Sequence, residues 1–166
     1  MFSINDMFAL GMKRVIPVLE KPDHTRAVNL GAGISHIKGV RSIDFPEWDA
    51  ECGHLPPDMR HLTAVYAFHF FEHLPGKVVI ELLRDIQDRL VSGGTLNIVV
   101  PYYKSGMAAH DLDHKSQYNE DTWKTLFSTP YYAKNREREW KFDIGTNVII
   151  GVVERNLALM TQLIKK

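Results

Sequence analysis

The 166 residues are 45% hydrophobic and 24% charged, a balance that suits one compact domain with a sizeable core and excludes a disordered chain. Lys and Arg total 20, as do Asp and Glu, so no global field recruits nucleic acid or an acidic membrane surface. The single cysteine, Cys52, excludes an internal disulfide framework and fits a reducing compartment.

In chain order, the first residues carry Asp6 and no basic region ahead of their apolar positions, unlike a signal peptide. No apolar run approaches the roughly 20 residues that span a bilayer. A single soluble, cytoplasmic domain over 1–166 is therefore expected, with no membrane partner. Met7, Phe8, Leu10, Val15 and Ile16 recur at spacings that suit an amphipathic helix within 1–20, ended or kinked by Pro17. Arg26-Ala27-Val28-Asn29-Leu30-Gly31-Ala32-Gly33 then reads as a short apolar strand broken by glycines. Val40-Arg41-Ser42-Ile43-Asp44 reads as a second strand ending in a carboxylate. In an open α/β sheet a tight glycine turn lets a ligand approach the backbone, and an acid ending the next strand accepts ribose hydroxyls. The pair predicts an adenosine site. Only Ile34 to Gly39 separates the two, at most about two helical turns, so the first crossover is a loop or a single turn. A dinucleotide fingerprint puts Gly or Ala where His36 stands and its acid about 20 residues beyond the motif. With His36 in place and Asp44 early, a nicotinamide dinucleotide is disfavoured.

The segment Phe45 to Pro57 is acidic and turn-rich, with a short strand expected near Ala50. Phe45 or Trp48 either stacks on an adenine ring or packs in the core. Leu62 to Phe71 is almost continuously apolar and rich in β-formers, as a strand buried on both faces requires. From Lys77 the positions Val78, Val79, Leu82, Leu83, Ile86 and Leu90 recur at helical spacing, with Glu81, Arg84, Asp85 and Arg89 opposite. Ser92-Gly93-Gly94 is expected to stop this helix ahead of a buried strand over Thr95 to Pro101. Strand, helix and strand form a right-handed βαβ unit.

Beyond that strand, His110, Asp111, Asp113 and His114 are open to three readings: metal ligands, bases at an acceptor site, or hydrogen-bonded loop formers. No metal site is assigned. Asn119 is a candidate N-cap of a short helix over Tyr118 to Trp123. Lys134 to Glu139 is expected to be a solvated segment or strand start. Trp140 to Val153 and Leu157 to Ile164 are β-rich runs that a short connection joins as a hairpin.

The ordered occurrence of Val-Asn-Leu-Gly-Ala-Gly, Gly-Val-Arg-Ser-Ile-Asp, Phe-His-Phe-Phe-Glu-His-Leu-Pro and Leu-Val-Ser-Gly-Gly-Thr-Leu-Asn-Ile-Val-Val-Pro resembles the class I S-adenosylmethionine-dependent methyltransferases. It is most similar to a small subgroup whose first crossover helix is shortened to a loop. The resemblance runs from about Ala27 to Trp123. It implies an α/β Rossmann-like single domain, with a mostly parallel seven-stranded sheet and a reversed last strand, over 26–164. It also implies that Gly31, Ala32 and Gly33 face the methionine part of the cofactor, that Asp44 holds the ribose, and that His69 faces the cofactor. Glu72 and His73 match the family's Glu-His-Leu turn. Gly53 stands near where the subgroup often carries an acid for the adenine amino group, so that contact falls to a backbone group, to Glu51, or to none. The cofactor shell expected on this resemblance is Asn29, Gly31, Ala32, Gly33, Asp44, Phe45, Glu51, Cys52, His69 and His73, and the candidate catalytic bases are His69, His110 and His114. The implied activity is in-line transfer of the sulfonium methyl of S-adenosyl-L-methionine to an unidentified acceptor, leaving S-adenosyl-L-homocysteine. The alternative is an inactive protein of the same fold that binds either compound. An open site for a macromolecule, or a pocket completed by the N-terminal helix or a second subunit of a homo-oligomer, fits the small size of the domain.

Overall fold

The computed structural model of the chain describes residues 26–33, 36–128, 139–151 and 156–166. The helix expected within 1–20 and most of the charged stretch 134–139 lie outside the described residues. Four strands make the parallel part of one sheet. β1 (Ala27–Leu30), buried throughout, lies between β2 (Arg41–Ile43) and β3 (Leu62–Phe68), and β3 pairs in turn with β4 (Leu90–Pro101). Both faces of β1 and β3 must be covered, which is why their sequences run apolar without alternation. On one face Val28, Leu30, Val65, Ala67, Leu96 and Ile98 join the main core, and on the other Ala27, Ala64 and Tyr66 form a smaller cluster with Val40.

The helix expected from Lys77 is α1 (Gly76–Arg89), and it lays Val79, Leu82, Leu83 and Ile86 on the main core. The expected closing hairpin is present as β5 (Phe142–Ile150) and β6 (Ala158–Lys165), antiparallel to each other. β6 inserts antiparallel between β4 and β5, so the sheet order is β2-β1-β3-β4-β6-β5 with the last strand reversed. Two short helices, α2 (Gly106–Ala109) and α3 (Thr122–Ser128), follow β4. Ahead of α3, the Asn119 side chain accepts the Asp121 N–H at 3.0 Å.

Three expectations are corrected. Among the described residues the sheet has six strands, not seven, and the stretch near Ala50 is a 3-10 turn, Ala50–Cys52. Asp49 accepts the Glu51 N–H and Gly53 closes the turn at φ 75°. The Asp49 and Ala50 carbonyls, which a strand would need for its ladder, instead accept the Cys52 and Gly53 N–H groups at 3.3 and 3.0 Å, and farther on the carbonyls of Leu55, Pro56 and Met59 are taken by Arg89 at 2.9 to 3.0 Å. The third correction concerns Gly93-Gly94. The helix ends at Arg89 and β4 begins at once at Leu90, so the glycines lie inside the strand. They fall where the pairing shifts register between Leu62 opposite Leu90 and Ala64 opposite Thr95.

The polar side of α1 therefore does more than face water. Asp85 accepts the Leu55 N–H at 2.7 Å and the Arg89 Nε–H at 2.7 Å, while the rest of the Arg89 guanidinium holds the three carbonyls. Replacing Arg89 by Ala leaves those carbonyls and Asp85 short of partners, in surroundings where an unmet group costs on the order of 1–3 kcal/mol. Arg89→Ala is expected to destabilise the fold by about 2–3 kcal/mol, read as a lowered urea midpoint. Lys77→Ala, which removes an exposed pair with Glu81, should stay within about 0.5 kcal/mol of wild type.

Candidate functional site

The carboxyl ends of β1 and β2 open into a cleft of about 210 Å³ lined by Ala32, Gly33, His36, Ser42, Ile43, Asp44, Phe45, Pro46 and Glu47. β1 leaves the sheet through Gly31, at φ 59°, and Gly33, at φ 50°, a left-handed backbone that glycine adopts without steric cost. The Gly31 N–H is donated to the Ile43 carbonyl at 2.9 Å, which locks the turn onto the end of β2. At Gly31 there is also no room: a Cβ would lie 2.8 and 2.9 Å from Cγ and Cε2 of the Phe70 ring. At Gly33 a Cβ would meet nothing within 4 Å, so that glycine faces open space.

Asp44 is held by this turn. Its Oδ2 accepts the Gly33 N–H at 2.6 Å and its Oδ1 accepts the Phe45 N–H at 2.8 Å. Each carboxylate oxygen carries a second acceptor direction, so the group is oriented by backbone and still able to accept two hydroxyls. His36 Nδ1 faces Ser42 Oγ at 3.1 Å on the opposite lip. Phe45 is 77% exposed at the rim, whereas Trp48 is buried against Phe70 with its ring N–H donated to the His54 carbonyl.

The other residues expected around a cofactor are spread more widely. Ala32, Gly33, Asp44 and Phe45 line the cleft, and Gly31 sits beneath Phe70. Asn29 is a buried member of β1. Glu51 pairs with Lys115 at 2.8 Å, and Cys52 is exposed with Sγ on the His54 carbonyl at 3.1 Å. His69 and His73 belong to the neighbouring turn that follows β3.

That turn is a second polar centre. His69 stands at φ 51° with its N–H on the Val99 carbonyl at 2.7 Å, and a 3-10 turn, Phe71–His73, follows. Glu72 is 1% exposed, and no hydrogen bond reaches either carboxylate oxygen. His69 Nδ1 is 3.3 Å from Oε1, outside hydrogen-bonding alignment. One ring nitrogen of His73, one of His114 and a Glu72 oxygen lie within 4.8 Å of one another, and the two imidazoles meet edge to face at 4.9 Å. His114 reaches the turn because its loop is tied to it. The Glu72 carbonyl accepts the N–H groups of Lys115, at 2.7 Å, and Ser116, at 3.1 Å. Ser116 Oγ donates to the Leu74 carbonyl at 2.8 Å and Tyr118 Oη to the Phe71 carbonyl at 3.1 Å. Burial first, then the Glu72 charge, push the Tyr118 hydroxyl well above its ordinary range, so it stays a donor.

Of the three candidate bases, His69 and His114 thus converge on Glu72, and His110 does not. His110 is exposed and its Nδ1 caps α2 on the Gly106 carbonyl. Asp111 is held below the usual carboxylate range by the Asp113 N–H, then by the nearby His114, His73 and His110, while Asp113 is exposed. Sequence reasoning misses His36, Ser42 and Glu47 on the cleft, and it leaves Glu72 as a motif match. The spacing His-x-x-Glu-His on one turn was the available signal for the second centre. Nothing in the sequence announces the Ser116 and Tyr118 tethers.

No protein-family model and no curated protein matches the chain. Solved structures do match. The YcgJ protein from Bacillus subtilis gives a TM-score of 0.61 at 13% identity, over 96% of this chain and 98% of that one. A SAM-dependent methyltransferase from Methanosarcina mazei gives 0.60 at 12% identity, over 84% and 91%. The magnesium protoporphyrin IX methyltransferase from Synechocystis, solved with bound SAH, gives 0.60 at 7% identity, over 98% and 83%. At these identities the likeness is one of fold: the chain has the Rossmann-like α/β fold of SAM-dependent methyltransferases.

The two glycines of the turn should respond differently to substitution. Gly31→Ala meets both the left-handed backbone and the Phe70 ring and is expected to cost about 2–4 kcal/mol. Gly33→Ala meets only the backbone term, about 1 kcal/mol. Chemical denaturation of the two variants separates them, and equal costs would remove Phe70 from the account.

Proposed function

We propose that the protein is an S-adenosylmethionine-dependent methyltransferase. The observation that carries this reading is Asp44. Its carboxylate ends β2, is oriented by two backbone N–H groups from the glycine turn and Phe45, and keeps the acceptor capacity that a ribose diol takes up. The methionine part of the cofactor would then lie along Ala32 and Gly33, which line the cleft, with open space over Gly33. Residues 31–40 join β1 to β2 through turns wherever they are described, in keeping with the subgroup whose first crossover is shortened.

The chemistry is a direct displacement. The acceptor lone pair attacks the sulfonium methyl in line, the carbon–sulfur bond breaks, and a neutral thioether leaves. Holding the two reactants in line supplies several kcal/mol of the barrier reduction, up to roughly 7–11 in well-oriented cases. A hydroxyl or amine acceptor also gives up a proton. His69 is the favoured base among the three histidines, because it stands on the turn that follows β3 with its Nδ1 3.3 Å from the buried Glu72 carboxylate.

S-adenosylhomocysteine and S-adenosylmethionine should each raise the melting temperature of the wild type, since a ligand that binds only the native state stabilises it by mass action. Asp44→Ala should weaken binding about tenfold or more, roughly 1.4 kcal/mol, and NAD should have no effect. Absence of any shift in the wild type overturns the cofactor assignment. On an acceptor found from a panel of hydroxyl and amine compounds, His69→Ala should lower kcat by about 10²–10⁴ at saturating cofactor. Tight cofactor binding without transfer to any acceptor class would favour the inactive, binding-only reading.

A further inference from the structure

We propose that Glu72, His73 and His114 form a binding site for a divalent first-row transition-metal ion. The inference stands on the geometry of the second polar centre and does not require methyl transfer.

Glu72 is the starting point. A carboxylate that is 1% exposed and receives no hydrogen bond is an expensive group to keep charged, and such groups are paired, protonated or bound to metal. The groups that face it are imidazoles. One nitrogen each from His73 and His114 and one Glu72 oxygen already lie within 4.8 Å of one another. Ligand atoms on a common ion at about 2.0–2.2 Å lie roughly 3–3.5 Å apart, so small side-chain rotations complete the set. Two imidazoles and one carboxylate on one side of an ion make the donor set of non-haem iron and of many zinc sites. Magnesium and calcium, which prefer an all-oxygen shell, are not expected to compete.

The surroundings are those that a metal site uses. His114 Nδ1 faces the Ala108 carbonyl at 3.4 Å, which favours a proton there and leaves Nε2 with its lone pair. Asp111 Oδ2 stands 3.6 Å from that Nε2, close enough to join the shell or to hold a bound water. His69 remains behind the Glu72 carboxylate, outside the three proposed ligands. Glu72 and His73 share one turn, and His114 is brought to them by the two N–H groups that Lys115 and Ser116 donate to the Glu72 carbonyl. The three donors are therefore prearranged by backbone hydrogen bonds. Three protein ligands leave coordination positions open to water or to an oxygen of a bound molecule.

The test uses the whole chain, stripped with a chelator and dialysed. Titration with Zn²⁺ alone by calorimetry, and with Co²⁺ alone by visible absorption, is expected to show one tight site and cobalt ligand-field bands. His73→Ala, His114→Ala and Glu72→Gln should each weaken binding by about tenfold or more and change or abolish the bands. His54→Ala, which removes the imidazole beside Cys52, should leave both unchanged. Circular dichroism checks each fold, and should Glu72→Gln misfold, the partly exposed His73 supplies the deciding variant. No site in the wild type, or wild-type affinity in both histidine variants, overturns the proposal.

Discussion

The Glu72 carbonyl carries more of this architecture than any side chain does. Parallel strands β3 and β4 end side by side, so the segments leaving them emerge at the same edge of the sheet with nothing in the ladder to hold them together. By accepting two N–H groups, from Lys115 and Ser116, that carbonyl joins the turn after β3 to the loop after β4. The Ser116 and Tyr118 hydroxyls repeat the link at Leu74 and Phe71. Lys115 then extends it through its side chain to Glu51, so the turn before β3 is tied to the same edge. Glu72, His73 and His114 owe their proximity to this stitching.

The amino ends of the strands are secured by a different device. Arg89 stands where α1 hands over to β4 and spends its guanidinium on three carbonyls of the segment that precedes β3. That segment is fastened to the helix, and among the described residues the sheet ends on the short strand β2. The carboxyl edge can then be built from loops while the core strands stay fixed, a division of labour common in open α/β sheets.

How much of this the sequence discloses follows from the range of each interaction. The glycine turn and Asp44 are legible because their logic is local: a positive φ, a close approach, and a carboxylate within reach of the Gly33 N–H. The apolar strands, α1 and the final hairpin are legible from periodicity. The turn at Ala50 misleads, since its composition tolerates a strand while the Asp49 side chain and the left-handed Gly53 close it on itself. Gly93-Gly94 misleads in the opposite sense, since a glycine pair after a helix reads as a stop, although the helix has already ended at Arg89. Glu51, a candidate adenine partner in sequence, pairs with Lys115, sixty-four positions away, a contact that no local pattern announces. Among the histidines, residue type alone cannot rank His110 against His114. Four positions separate them, and the tether turns one inward while the cap on Gly106 leaves the other at the surface.

Two carboxylates at the carboxyl edge of the sheet, Asp44 and Glu72, meet opposite conditions. Asp44 is partly exposed and each oxygen accepts a backbone N–H, so its charge is satisfied in the free protein and its remaining lone pairs are a prearranged acceptor for neutral hydroxyls. Glu72 is enclosed, and the backbone around it donates to its carbonyl while leaving its carboxylate unmet. An enclosed anion draws positive charge far more strongly than an exposed one, because little water competes for it. The groups within reach are His69, His73 and His114, which supply that charge either as protons on imidazole or as an ion held between imidazole and carboxylate. A site of the first kind binds by hydrogen bonding to what is already solvated; a site of the second kind binds because folding has left a charge without a partner.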